Sequence, residues 1–177
     1  LFPYTTLFRS MNNSLGFWDL ATGQLMHTVQ TSHEDQIISL QISQDHKYLL
    51  SGSKKSIIVM SLSNMEEVNI IKLRTKNTLS SFEVFPTERK IVVFSHDEEE
   101  KNKTKRIFQI FDYLTSNKVT EYWTYQLGIH TPRLMYNAIG CLSIGINTWE
   151  TFEFKNKIFT RIEFEKPIPD ISHTIAL

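Results

Sequence analysis

The chain has 177 residues, enough to bury a substantial core, and its 19 Lys+Arg balance its 19 Asp+Glu, so no net field draws it to nucleic acid or an anionic membrane. Aromatic residues make up 12% of the chain and β-branched residues are frequent, which suits sheets better than helices. No apolar run reaches the roughly 18 residues of a membrane span, and the single cysteine, Cys141, excludes an internal disulfide and lends no support to a secreted setting.

In chain order, residues 1–10 match the translation of a common sequencing-library adapter. They lack the charged start and cleavage pattern of a targeting segment, so they are set aside as an adapter-derived artefact. From Met11 the pattern begins inside a repeated unit. Ser14 to Asp19 suits a strand, Ala21-Thr22-Gly23 a turn, and Gln24 to Gln30 the antiparallel return. In the next unit Ile38, Leu40 and Ile42 alternate with polar residues, and Ser43 to Lys47 makes a turn. Tyr48 to Ser51, Ile57 to Leu62 and Val68 to Leu73 follow as strands.

The third unit keeps an offset of 42 through its first two strands, with Phe82 and Val84 answering Leu40 and Ile42, and Lys90 to Phe94 answering Tyr48 to Gly52. The register then slips by nine residues, and the extra length is assigned to a loop from His96 to Lys105. Strands resume at Arg106 to Asp112 and Lys118 to Tyr125. The last unit is weaker: Arg133 to Tyr136, Gly140 to Gly145, Trp149 to Phe154 and Ile158 to Phe164, with Lys155-Asn156-Lys157 as a hairpin turn. Ile171 to Leu177 alternates like the opening strand of a further unit.

One tetrapeptide position ties these units together. Phe17-Trp18-Asp19-Leu20 has imperfect copies at Val59-Met60-Ser61-Leu62, Ile110-Phe111-Asp112-Tyr113 and Thr151-Phe152-Glu153-Phe154, spaced 42, 51 and 41 residues apart. A period of about 40–45 residues is that of propeller blades, four-stranded sheets that cannot bury their faces alone. The expectation is an all-β, partial β-propeller of four-stranded antiparallel blades, about three full blades plus two partial ones. The units run approximately over 11–30 (partial), 37–73, 79–125, 132–164 and 171–177 (partial).

Trp18-Asp19-Leu20 with Ala21-Thr22-Gly23, then His33, then Ser51-Gly52-Ser53, resembles the WD-repeat β-propeller family. The resemblance covers residues 11–177 and is strongest from Phe17 to Leu62. It implies that each blade's inner strand lines a channel, that the outermost strand carries ring closure, and that a tetrad of His, Ser/Thr, Trp and Asp ties a blade together. Trp18, His33 and Ser51 match three of those types, Trp18 belonging to the preceding repeat. Met60 stands where the complete blade would have Trp, Lys54 or Lys55 where it would have the tight-turn Asp, and Ser32 where Gly would precede His33, so that tetrad is expected to be broken. Later repeats keep only Phe111-Asp112 and Phe152-Glu153. Packing between blades can carry the stability of so degenerate a set.

No catalytic, cofactor-binding or metal-binding motif stands out. His33-Glu34-Asp35 reads as a loop before a strand, with His33 bonded to Ser51 or a backbone group rather than to a metal. Cys141 reads as a buried thiol, Trp18, Trp123 and Trp149 as packing residues, and the triplets Asn12-Asn13-Ser14 and Asn102-Lys103-Thr104 as uninformative. The candidate partner-binding element is the loop carrying Asp97, Glu98, Glu99, Glu100, Lys101, Lys103 and Lys105, where blocks of opposite charge sit on a rigid scaffold. The reading the sequence favours for this loop is the plainer one, a tolerated disordered insertion, since lengthening a loop costs little.

The leading expectation is a non-enzymatic, cytoplasmic scaffold, a fragment of a larger WD-repeat protein. It would bind protein partners without cofactors, nucleic acid or membrane, with the rest of the propeller lying outside this chain. Two other classes stay open: the sensor or regulatory propeller of a NACHT-type ATPase, and a propeller hydrolase or carbohydrate binder. The last needs carboxylates converging on the channel, and the first strands offer few, Glu83 among them.

Overall fold

Runs of alternating apolar and polar residues, broken by Gly, Asn, Asp and Ser, produce fifteen strands in the computed structural model, which describes residues 6–86, 88–97, 105–124, 133–134, 140–144, 148–153 and 158–163. The chain divides into two units, Leu1–Thr124 and Tyr125–Leu177. Among the described residues every element is a strand, and no helix is long and apolar enough to cross a membrane.

The first unit holds three sheets, each an antiparallel meander. The first consists of β1 (Thr6–Met11), β2 (Ser14–Asp19) and β3 (Leu25–Gln30). The second consists of β4 (Ile37–Ile42), β5 (Tyr48–Ser53), β6 (Ser56–Ser61) and β7 (Glu67–Lys72). The third consists of β8 (Asn77–Val84), β9 (Lys90–Asp97), β10 (Lys105–Asp112) and β11 (Lys118–Thr124). In the second unit β12 (Arg133–Leu134), β13 (Gly140–Ile144), β14 (Thr148–Glu153) and β15 (Ile158–Glu163) form a fourth meander of the same order. The expected turn at 155–157 and the strand at 171–177 lie outside the described residues.

Two cores hold the first unit together. Leu15, Phe17, Ile37, Leu49, Met60 and Leu62 pack between the first and second sheets. Leu50, Ile57, Val59, Ile71, Leu79, Phe82, Ile91, Val93, Phe111 and Tyr113 pack between the second and third. Neighbouring residues divide between the two cores, Leu49 from Leu50 and Met60 from Val59, because successive side chains leave a strand on opposite faces. The second sheet is therefore buried on both faces, which is why Ile57-Ile58-Val59-Met60 is an unbroken apolar run. Gly52 lies where the second and third sheets approach: a Cβ there would come 2.7 Å from Leu79 Cδ2 and 2.8 Å from Phe82 Cε1.

The four tetrapeptides occupy one place in the four sheets. Trp18, Met60, Phe111 and Phe152 pair with Leu7, Leu49, Ile91 and Cys141 on one side. On the other they pair with Leu25, Glu67, Lys118 and Phe159. In the first three sheets the register shifts just before that residue, at Phe17/Trp18, Val59/Met60 and Ile110/Phe111. The turn that follows carries a left-handed residue at the same step: Gly23 (φ 67°), Met65 (φ 60°) and Ser116 (φ 59°). The aspartate of the motif caps this turn. Asp19 Oδ1 accepts the N–H of Ala21 and Thr22 at 2.7 and 3.1 Å, and Asp112 Oδ1 accepts those of Leu114 and Thr115, both at 3.0 Å.

Ties between sheets repeat as well. Thr31 N and Ile37 N donate to the carbonyls of Asn13 and Asn12, and 42 residues on Leu73 N and Leu79 N donate to those of Lys55 and Lys54. The chain leaving one sheet is thus pinned to that sheet's hairpin tip before it enters the next.

The segment set aside in the sequence reading also takes a place in this unit. Residues 6–10, set aside as adapter-derived, form β1 with Met11, paired to β2 from Thr6↔Asp19 to Met11↔Ser14. Phe8 stands edge-on to Phe17, ring centroids 5.2 Å apart. A segment with apolar residues at the right spacing satisfies the ladder groups of β2, which backbone pairing alone does not discriminate.

Candidate functional site

The third sheet departs from the repeat at its β9–β10 hairpin. In the second sheet the corresponding ladder ends at Gly52↔Ile57. In the third it passes the equivalent pair, Phe94↔Phe108, and continues through Ser95↔Ile107, His96↔Arg106 and Asp97↔Lys105. Six of the nine extra residues therefore extend the ladder, and the rest fall among residues 98–104, outside the described residues. This corrects the expected boundaries, because His96, Asp97 and Lys105 lie in strands rather than in the loop. Glu98, Glu99, Glu100, Lys101 and Lys103 lie outside the described residues.

The arm is braced on both sides. β8 begins early enough to pair Asn77 with Asp97 and Thr78 with His96, and Ser80 Oγ meets His96 Nδ1 at 3.0 Å. On the other side Arg106 pairs with Thr124, and Lys105 Nζ lies 4.7 Å from the centre of the Trp123 ring. Trp123 is 57% exposed, which corrects its assignment as a packing residue. Two residues along the same strand face, Glu121 accepts Lys118 Nζ at 2.6 Å and Gln109 Nε2 at 2.9 Å, with Arg74 Nη1 at 3.5 Å. The Lys118 hydrogen bond, helped by Gln109 and Arg74, holds the Glu121 carboxyl below its ordinary range against the opposing effect of burial. Asp97 and Lys105, directly opposite each other, start the charged rim of the arm.

A second cluster lies at the junction of the first and second sheets. His33, 4% exposed, has Nε2 2.9 Å from Ser51 Oγ and Nδ1 3.0 Å from Ser56 Oγ. The cluster was expected to be broken at the tight turn. Ser56 instead meets the second nitrogen, while Lys55 turns to the third sheet and donates to Thr75 O, Asn77 O and Thr78 Oγ1. Burial lowers the His33 pKa below its ordinary value, and the bond to Ser51 and the charges of Glu67 and Asp35 only partly offset it. Asn13 Nδ2 donates to His33 O at 3.0 Å, and the Glu67 carboxylate accepts both Ser32 N and Ser32 Oγ. Thr31, Ser32 and His33 thus each contribute a side-chain bond that holds this connection in place.

The remaining residues singled out in the sequence fall as follows. Trp18 is half-buried on the face of β2 opposite Phe17, and its indole Nε1 has no hydrogen-bond partner among the described residues. Cys141 lies in β13 and Trp149 in β14; Asn102 is outside the described residues. Asn12 and Asn13 turn the β1–β2 hairpin, Asn12 with φ 58°. No group of three metal-ligating side chains occurs among the described residues. Sequence reasoning missed Lys55, and missed Asn69, whose Nδ2 donates to Tyr113 O and Ser116 Oγ, both at 2.8 Å. Neither position carries a local motif, and the only available signal was the offset between units.

No protein-family model matches the chain, and no curated protein does. Solved structures do. The chain is similar to U3-55K (15% identity, TM-score 0.70, covering 93% of this chain and 50% of that one) and to the RRP9 WD40 repeats (15%, 0.70, 90% and 48%). It is also similar to the β-propeller domain of Myceliophteria thermophila Cps50 (Swd1) (14%, 0.63, 93% and 53%). The chain thus spans about half the length of these structures. At such identities the likeness establishes the fold alone: the described sheets have the form of β-propeller blades, as in those WD40 structures.

Proposed function

We propose that this chain is part of a non-catalytic protein–protein interaction scaffold, a section of a larger WD-repeat propeller acting in the cytoplasm. The observation that carries this reading is the β9–β10 arm. Among the described residues of the first unit it is the place where the repeat is extended rather than merely substituted, and the described ladder ends in the charged pair Asp97 and Lys105. Both of its described strands are braced as far as Asp97 and Lys105, so a partner docking on this base would lose little conformational entropy there. Charge at such a rim sets encounter rate and partner choice more than affinity. His33, the residue most suggestive of catalysis, has structural partners at both ring nitrogens.

The test is quantitative affinity capture from cells with the natural full-length protein and its Glu98→Lys/Glu99→Lys/Glu100→Lys variant. The expected result is a defined set of proteins whose recovery falls about tenfold or more in the variant, with an unchanged circular dichroism spectrum. Equal recovery by both forms would overturn the assignment to the arm. Turnover of a small substrate by the purified chain would overturn the scaffold reading itself.

A further inference from the structure

A neutral imidazole has one N–H and one bare nitrogen. Between Ser51 and Ser56 this is an adequate fit, because one hydroxyl accepts from the ring and the other donates to it. A protonated imidazole donates at both nitrogens, so both hydroxyls must accept. The one that had donated must turn its hydrogen elsewhere. Ser56 Oγ has a candidate in Ser53 Oγ, 3.1 Å away, but that hydroxyl is a neutral acceptor. The ring is bonded on both sides by uncharged groups, and it is almost wholly removed from water.

The charged groups around the ring do not replace a bonded carboxylate. On its own connection, Asp35 is half-buried and Glu34 exposed. From β7, Glu67 favours the charged ring at a distance, but its carboxylate is engaged by Ser32. The β5–β6 turn carries Lys54 and Lys55, the latter with its Nζ bonded toward the third sheet, and β1 carries Arg9. The β1–β2 hairpin that grips the His33 carbonyl offers only the neutral Asn12 and Asn13.

We propose that the His33–Ser51–Ser56 cluster is an acid-sensitive latch: uptake of a proton by His33 releases the connection 31–37 from the hairpins that hold it, while the sheets on either side stay folded. The bonds at stake are Thr31 N to Asn13 O, Ile37 N to Asn12 O and Asn13 Nδ2 to His33 O. The sign follows from where the proton binds more readily. In the closed state the ring resists it, and in the open state the ring titrates near its ordinary value of 6.5. The latch is therefore at full strength above that value and is lost as pH falls through the lower closed-state value. Over this window the opening equilibrium rises by up to about tenfold per pH unit.

Hydrogen exchange of the chain between pH 5 and 8, corrected for the intrinsic pH dependence of exchange, reads this directly. Protection of amides 31–37 is expected to fall by up to about tenfold per pH unit below 6.5, while that of amides 57–60 in β6 stays constant. In His33→Gln the dependence at 31–37 is expected to disappear. A flat profile in the natural sequence, the same slope in the variant, or parallel loss at 57–60 would each overturn the latch. If the variant does not fold, NMR titration of the His33 ring decides: a midpoint well below 6.5 supports it, and one at or above 6.5 overturns it.

Discussion

Phe17→Ala should cost this protein more than Trp18→Ala, although the tryptophan is the signature residue. Phe17 is completely buried in the core between the first and second sheets, with Leu15, Ile37, Leu49, Met60 and Leu62 around it and Phe8 edge-on at 5.2 Å. Removing a buried phenyl ring loses its transfer free energy and leaves a cavity, together about 3–5 kcal/mol. Trp18 points from the opposite face. Its equivalents Met60 and Phe111 are buried because a preceding sheet covers them, whereas Trp18 is only half-buried. Its truncation should therefore lose about 1–2 kcal/mol, the worth of a partly covered apolar side chain. Urea unfolding followed by far-ultraviolet circular dichroism separates the two without relying on tryptophan fluorescence. A Trp18→Ala midpoint as low as that of Phe17→Ala, at equal m-value, would refute the argument. It would mean that the outer face of the first sheet is as well packed as its inner face.

Three further outcomes are expected. Gly52→Val should destabilise by about 2–3 kcal/mol in the same assay, because its side chain must displace Leu79 and the Phe82 ring; a neutral result would mean the second and third sheets can part there without loss. Asn69→Ala should cost about 1–2 kcal/mol through the bonds to Tyr113 O and Ser116 Oγ, and Ser116→Ala in that background should add little. Burial alone would raise the Asp112 pKa, but hydrogen bonds from Arg89, Thr115 and Leu114 outweigh it and hold the carboxyl below its ordinary 3.8. Its contribution is present above that value and lost as pH falls through the lower folded value, so Asp112→Asn should flatten the acid limb of a melting-temperature profile; an unchanged limb would count against the turn cap.

The parts of the fold legible in the sequence were those written in periodicity. Alternation placed the strands, and the tetrapeptide spacing placed Trp18, Met60, Phe111 and Phe152 at equivalent ladder positions. What escaped depended on pairing across strands. His96, Asp97 and Lys105 look like loop residues because charge and polarity dominate their neighbourhood, yet a hairpin can extend through polar pairs when β8 and β11 brace it. Ser56 gave no local sign that it would meet His33, since the contact arises only when β5 and β6 turn back beside the incoming chain. The exposure of Trp123 was equally invisible, because its identity suggests burial and only its place on the outermost strand says otherwise.

The positions that changed and those that did not argue for how this propeller diverged. At the motif site Trp18, Met60 and Phe111 differ in size but remain apolar, and each is followed by a residue that starts a left-handed turn five steps on. That turn needs a local oxygen and a tolerant backbone rather than one particular side chain: Asp19 and Asp112 supply a carboxylate, while Ser61 bonds Ser63 Oγ and Asn64 Oδ1 takes Glu66 N. The tetrad position behaves differently. His33 keeps Ser51 and gains Ser56 as a hydroxyl partner, but 42 residues on Thr75 and Val93 stand where His33 and Ser51 stood, and Lys55 supplies the bonds from the other side. Apolar packing between sheets is the constraint that persists across the two junctions, and the polar network is rebuilt differently wherever the packing permits.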